Sequence, residues 1–357
     1  MSLIHPLAPL DFSREADPEP GGDTSAPRRA DSARRPKPPV AAQRGTRVQS
    51  LPMSHSGRQT VAIRWECQGP AAAPVVIVQG GISAHRHLAA TATFAEPGWW
   101  QDQVGLGAAL DSARFRLLAI DWLGADGELD VCIDPADQAA AMAAVLHALG
   151  IERAAAFVGA SYGAMVGLQF AALYPARLGR LIALSGAHRS SAQATAWRVI
   201  QRRIVKLVAA SAPAAPALAL ARALAVIGYR SAEEFQQRFA AAPVIDHDTA
   251  RFPVEDYFDA VGSKAAAQFS ATAYLRLSES IDLQRLDPAT IGVATDLVGV
   301  CQDQIVPLAD LEELAAGIAA PTRLYRIHSV YGHDAFLKEV DQIGVILRQS
   351  LSQGVAS

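Results

Sequence analysis

Whatever this chain folds into has to accommodate the stretch Ala156-Phe157-Val158-Gly159-Ala160-Ser161-Tyr162-Gly163. An apolar run stops at Gly-x-Ser-x-Gly and gives way to a helical pattern containing Ala, Leu and Gln. Strand, tight turn and helix in that order give this short motif its meaning. Gly159 and Gly163 leave room around a sharp turn, and Ser161 at its centre is expected in a strained backbone conformation. Its hydroxyl then projects above the sheet, at the positive end of the helix that follows. A chance match is the alternative, because Gly, Ala and Ser are abundant, so the rest of the chain has to decide.

The surrounding rhythm is that of alternating strands and helices. Two alternating segments over residues 47–68 predict a hairpin with Ser56-Gly57 at the turn. Val75-Val76-Ile77-Val78 and Arg116-Leu117-Leu118-Ala119-Ile120-Asp121 read as buried strands. Asp134-Pro135-Ala136-Asp137 caps a helix that runs to about Leu149 and is closed by Gly150. Residues 181–186 form the next strand. This pattern predicts an α/β fold, a mostly parallel sheet with helices on both faces.

From residue 187 to 286 the strand rhythm stops. Helical patterns at 194–208, 217–227, 232–240 and 274–280 predict an inserted helical lid over the strand ends, where ligands bind in open α/β sheets. Strands resume at 295–300 and 322–327, and a last helix is expected from about Asp334 to Leu351. Residues 47–186 and 287–357 are therefore the expected core. Residues 1–46, rich in Pro, Arg, Asp, Ser and Gly, read as a disordered tail.

A net charge of −3 gives no general reason to expect nucleic-acid or anionic-membrane binding, and no apolar run is long enough for a membrane span. The three cysteines, Cys67, Cys132 and Cys301, form no CxxC pair, so neither a disulfide framework nor a metal site is indicated. A reducing compartment, the cytoplasm, is the simplest setting. No secretory signal is read at the N-terminus.

A serine hydroxyl needs a base, and the base is usually a histidine oriented by a buried carboxylate. In sheets with this elbow the chain order is Ser, acid, His, each at the C-terminal end of a strand. Asp303 follows the strand at 295–300, and His333 follows the last strand in Tyr331-Gly332-His333-Asp334. Asp296 is the rival acid but starts its strand, and Asp310 belongs to the next helix. The paired glycines in Gln79-Gly80-Gly81-Ile82 point to an oxyanion hole among Gly80, Gly81 and Ile82, with the N–H of Tyr162 as second donor.

The elbow and its helix, Ser185-Gly186-Ala187-His188-Arg189, Ala196-Trp197-Arg198-Val199-Ile200-Gln201-Arg202-Arg203, Gly228-Tyr229-Arg230 and Tyr331-Gly332-His333-Asp334 together resemble the homoserine O-acyltransferase family of the α/β-hydrolase fold. The likeness covers roughly residues 47–351 and is greatest to the short, succinyl-transferring branch, which includes Gly81-Ile82-Ser83-Ala84-His85-Arg86-His87. It implies ping-pong transfer of an acyl group from acyl-CoA to L-homoserine, in methionine biosynthesis. No bound cofactor is implied beyond succinyl-CoA as co-substrate. Arg222 matches the family's substrate-binding arginine and Asp334 its substrate-binding aspartate, suiting a carboxylate and an ammonium respectively. A homodimer through the lid is also what the family suggests.

The chain departs from the longer acetyl-transferring members in having Tyr162 where many have Met, and a shorter lid between Arg203 and Arg222. Arg198, Arg202 and Arg203 form a cationic cluster on the first lid helix. One of them, Arg198 first, is expected to pair with the terminal carboxylate of a succinyl group; a solvated basic face is the alternative. Acetyl transfer, serine as acceptor, and an esterase using water with the same triad stay open. A catalytically silent binding protein is disfavoured by the intact Ser161, Asp303 and His333.

Overall fold

The computed structural model describes residues 41–209, 212–267 and 269–354. Strands β1 (Ala42–Met53) and β2 (Gly57–Gln68) form a long antiparallel hairpin, and Gly57 leaves its turn at φ 65°. The expected tail at residues 1–46 lies mostly outside the described residues. Its last part differs from expectation: Ala42 to Thr46 already pair with β2, because the alternation of β2 extends far enough to register them.

The chain continues through β3 (Val75–Gln79), β4 (Arg116–Ile120), α1 (Pro135–Ala148), β5 (Ala156–Ala160), α2 (Tyr162–Leu173) and β6 (Leu181–Leu184). Asp134 caps α1 by accepting from the N–H of Ala136, and Asp137 accepts in return from the N–H of Asp134. The insertion follows as α3 (Ala192–Ala209), α4 (Ala215–Tyr229), α5 (Ala232–Phe239), the small hairpin β7 (Val244–Asp246) and β8 (Thr249–Arg251), α6 (Pro253–Ala266) and α7 (Ala271–Leu283). Its two ends meet: Arg189 bridges Arg285, and the N–H of Leu286 donates to the carbonyl of His188. The core then resumes with β9 (Thr295–Val300), α8 (Leu308–Gly317), β10 (Thr322–Ile327), α9 (Ala335–Lys338) and α10 (Val340–Gly354).

The eight-stranded sheet runs β1-β2-β4-β3-β5-β6-β9-β10, parallel from β4 to β10 with the β1–β2 hairpin antiparallel at one edge. Period-two alternation divides its side chains between two apolar layers. Val75 and Ile77 belong to the same apolar layer as Met142, Leu146 and Phe170 of α1 and α2, whereas Val76 and Val78 belong to the layer of Leu347 and Leu351 of α10.

Two features of the insertion depart from the sequence reading. The hairpin β7–β8 interrupts the helices, with Val244 and Ile245 exposed, so its alternation leads to no buried face. Helix α6 was not expected, although Pro253 in its first turn and Glu255, which accepts from the N–H of Phe252, are ordinary helix-start signals. The single C-terminal helix is instead split at Glu339, whose backbone (φ −88°, ψ 61°) leaves the helical region. Among the described residues no helix is long and apolar enough to cross a membrane.

Candidate active site

Sheet register assembles the site. Gln79 at the end of β3 is level with Gly159 on β5, so the loop starting at Gly80 runs beside the turn that carries Ser161. Ser161 has φ 55° and ψ −118°, outside the ordinary regions for a side chain with a Cβ. Close packing around it enforces the glycines. A Cβ on Gly159 would lie 2.2 Å from the carbonyl of Gly163, and one on Gly163 would lie 2.2 Å from the carbonyl of Gln79. The N–H of Gly163 donates to the carbonyl of Gly80 at 2.8 Å, tying the elbow to the loop.

Ile327 ends β10 level with Val300 at the end of β9, which brings the two following loops together. His333 Nδ1 stands 2.7 Å from Asp303 Oδ2, and His333 Nε2 stands 2.8 Å from Ser161 Oγ. Asp303 Oδ1 accepts from the N–H groups of Ile305 and Val306, so the carboxylate is fixed on both oxygens. Held this way it accepts the hydrogen bond of Nδ1–H, and the Nε2 lone pair is left for the serine hydroxyl. Gly332 makes the turn before His333 at φ 55°, where a Cβ would also crowd the Tyr229 carbonyl. Burial pulls the His333 pKa down, but the charge and hydrogen bond of Asp303, with Asp334 nearby, outweigh it and leave it raised.

The rival carboxylates do other things. Asp296 is fully buried at the opposite end of β9, paired with Arg180 and Arg323. Asp310 pairs with Arg189 on the surface.

A cavity of about 790 Å³ opens beside Ser161 and His333 beneath the insertion. Gly81 and Ile82 line it. Gly80 does not, since its carbonyl is engaged by Gly163 and a Cβ there would press on Ala84 and Trp99. Tyr162 is buried, its hydroxyl 2.6 Å from Ser280 Oγ on α7, and its N–H starts α2. Burial raises its phenol pKa, so it stays protonated.

Six basic side chains line the cavity against the carboxylates of Asp256 and Asp334, giving it a positive balance. Arg222 is among the six, its guanidinium 5.3 Å from the ring of Tyr229, whose ring in turn lies 5.8 Å from that of His333. Asp334 lines the same wall, with Oδ2 3.3 Å from Arg230 Nε, and its side chain caps no helix. Of the three arginines proposed for acyl selection, only Arg198 lines the cavity. It is buried, and its Nε donates to Asp282 Oδ1 at 2.8 Å. Arg202 shares that carboxylate at 2.7 Å and donates to the Ser278 carbonyl. Arg203 is exposed, one residue further round the helix, so the structure separates it from the other two.

Asp282, Tyr229, Arg230 and the outer cations Arg238 and Lys264 were not assigned roles from the sequence. Tyr229 and Arg230 stood within the family-like Gly228-Tyr229-Arg230 run, a usable signal. Asp282, about eighty residues from its arginines, left none. Among the described residues no cluster of His, Cys, Asp and Glu could hold a metal ion.

The family model for the alpha/beta hydrolase fold matches residues 73–340. A homoserine O-succinyltransferase of Xanthomonas campestris pv. campestris is 52% identical over 98% of this chain and 91% of its own length. The chain belongs to the homoserine O-acyltransferase family. A homoserine O-acetyltransferase of Thermobifida fusca is 32% identical, covering 72% of this chain and 78% of that protein. Among solved structures, homoserine O-acetyltransferase from Bacillus anthracis superposes with a TM-score of 0.80 at 16% identity, over 89% of this chain and 99% of that one, a likeness of fold.

Proposed function

We propose that this chain transfers a succinyl group from succinyl-CoA to the hydroxyl of L-homoserine through an acyl-enzyme on Ser161. The similarity to the Xanthomonas homoserine O-succinyltransferase over nearly the whole chain carries the reading. The cavity supports it with a buried, cavity-lining Arg198 in addition to Arg222. Two substrate carboxylates have to be met, one on the succinyl group and one on the amino acid, and pairing them with Arg198 and Arg222 among the cavity's cations fits the reading. Arg198 and Arg202 share one carboxylate, so the cluster keeps about one unit of positive charge for an incoming anion.

In the first half-reaction His333 Nε2 takes the Ser161 proton as Oγ attacks the thioester carbon. The N–H groups of Ile82 and Tyr162 hold the oxyanion. The C–S bond then breaks, and the CoA thiolate leaves with the proton from His333. In the second half His333 takes the proton of the homoserine hydroxyl, whose oxygen attacks the acyl-enzyme. Ser161 Oγ leaves and recovers its proton. Arg222 binds the amino acid's carboxylate and Asp334 its ammonium. The chain works in the cytoplasm as a homodimer on this reading.

Measuring CoA release from succinyl-CoA and acetyl-CoA, each with and without homoserine or serine, tests the proposal. Serine differs by one methylene, which is worth only about 1–3 kcal/mol of discrimination, so it belongs in the assay.

A further inference from the structure

We propose that Trp122 is a positioning residue for the oxyanion hole, acting through the carbonyl of Gly81. The inference rests on the acyl-enzyme reading above and names a part of the same site. Trp122 follows β4, the strand next to β3, and is buried. Its indole Nε1–H donates to the carbonyl of Gly81 at 2.9 Å.

A trans peptide carries its C=O and N–H on opposite sides, and the described chain has no cis peptide bond. Holding the Gly81 carbonyl toward Trp122 therefore turns the Ile82 N–H of that peptide away from Trp122. Gly81, Ile82 and Ser161 line the cavity and Trp122 does not, so the N–H is turned to the cavity side. The preceding peptide is fixed separately, since the Gly80 carbonyl accepts from Gly163 N–H, which turns the Gly81 N–H away from the elbow helix. Of the three loop residues the geometry points to Ile82 as donor, and Trp122 sets its direction.

The same indole packs edge-on against Tyr162, ring centroids 4.8 Å apart, and Tyr162 carries the second N–H donor. One side chain thus touches both halves of the oxyanion hole. The Gly81 carbonyl also accepts from the N–H of Ala84 at 3.0 Å, so the turn itself does not depend on Trp122. Loss of the indole N–H would loosen the peptide's orientation and leave the loop in place.

Trp122→Phe removes the N–H and keeps a ring beside Tyr162. The expected result is a kcat for succinyl-CoA-dependent CoA release roughly tenfold lower, less than the loss from deleting a donor outright. The KM values should stay within about twofold. A short-chain alkylboronic acid, whose adduct with Ser161 mimics the tetrahedral intermediate, should bind roughly tenfold more weakly. An unchanged kcat, or a lower kcat with unchanged boronate affinity, overturns the proposal. Should the Phe variant not fold, benzothienylalanine at position 122 exchanges the N–H for sulfur within the same shape and is read the same way. Ser161→Ala measured alongside separates the two levels. If it keeps CoA release, the acyl-enzyme reading fails; if it loses it while Trp122→Phe does not, only the positioning role fails.

Discussion

Asp282 Oδ1 accepts from Arg198 Nε at 2.8 Å and so holds a buried guanidinium at the cavity wall. A guanidinium pre-positioned in a partly dry pocket favours a substrate carboxylate more than a solvated one does. Arg198→Ala should lower the ratio of succinyl-CoA to acetyl-CoA rates by roughly tenfold or more. Arg203→Ala, on the exposed side of α3, should leave that ratio alone. Paired rate measurements on both variants check this, and an unchanged ratio in Arg198→Ala removes the selectivity role.

The raised pKa of His333 has a direct kinetic consequence. Below that pKa the imidazole is protonated and cannot accept the proton of Ser161, so kcat/KM for the acyl donor should fall on the acid side. The limb should lie above the ordinary imidazole value. Asp303→Asn, which takes away the charge that raises the pKa, should move the limb to lower pH. A limb at or below the ordinary value in the unaltered protein would contradict the geometry.

Asp303 and Asp296 both belong to the β9 region and should fail differently. Asp303→Asn offers His333 the wrong partner and should lower kcat by about 10³–10⁴-fold with little loss of stability. Asp296→Asn leaves Arg180 and Arg323 without their shared anion at the far end of the strand. It should cost about 1–3 kcal/mol of stability and leave kcat nearly unchanged. Denaturant melts read beside turnover would show the two effects exchanged if the acid were misassigned.

On the proposed mechanism Tyr162 serves stability through its side chain and chemistry through its N–H. Tyr162→Phe leaves the fully buried Ser280 hydroxyl without its partner and should destabilise the fold by about 1–3 kcal/mol, read as a lower urea midpoint. Because the backbone donor remains, kcat should change by no more than a few-fold. A large loss of kcat at unaltered stability would give the phenol itself a part in the reaction.

Ser161 and Asp303 could be located from the sequence because each stands just past a buried strand, and His333 because its loop follows the last strand; parallel register carries these strand ends to one edge. The loop from Gly80 was legible for the same reason. Its donor was not, since that depends on which groups take the Gly80 and Gly81 carbonyls, a backbone N–H of the elbow helix in one case and the Trp122 indole in the other. Arg198, Arg202 and Arg203 were read together, yet residues four apart share a helix face while the next one turns about 100° away. Asp282 and helix α6 were missed for different reasons. The first is a contact between distant helices, and the second is a short amphipathic segment behind an exposed hairpin.

The most direct measurement is CoA release with purified protein in four arms, crossing succinyl-CoA or acetyl-CoA with the presence or absence of homoserine. Release from succinyl-CoA that depends on homoserine, exceeds the acetyl-CoA rate and disappears in Ser161→Ala is the predicted result. Thioester hydrolysis that proceeds equally without an amino acid would make the chain a hydrolase and contradict the account.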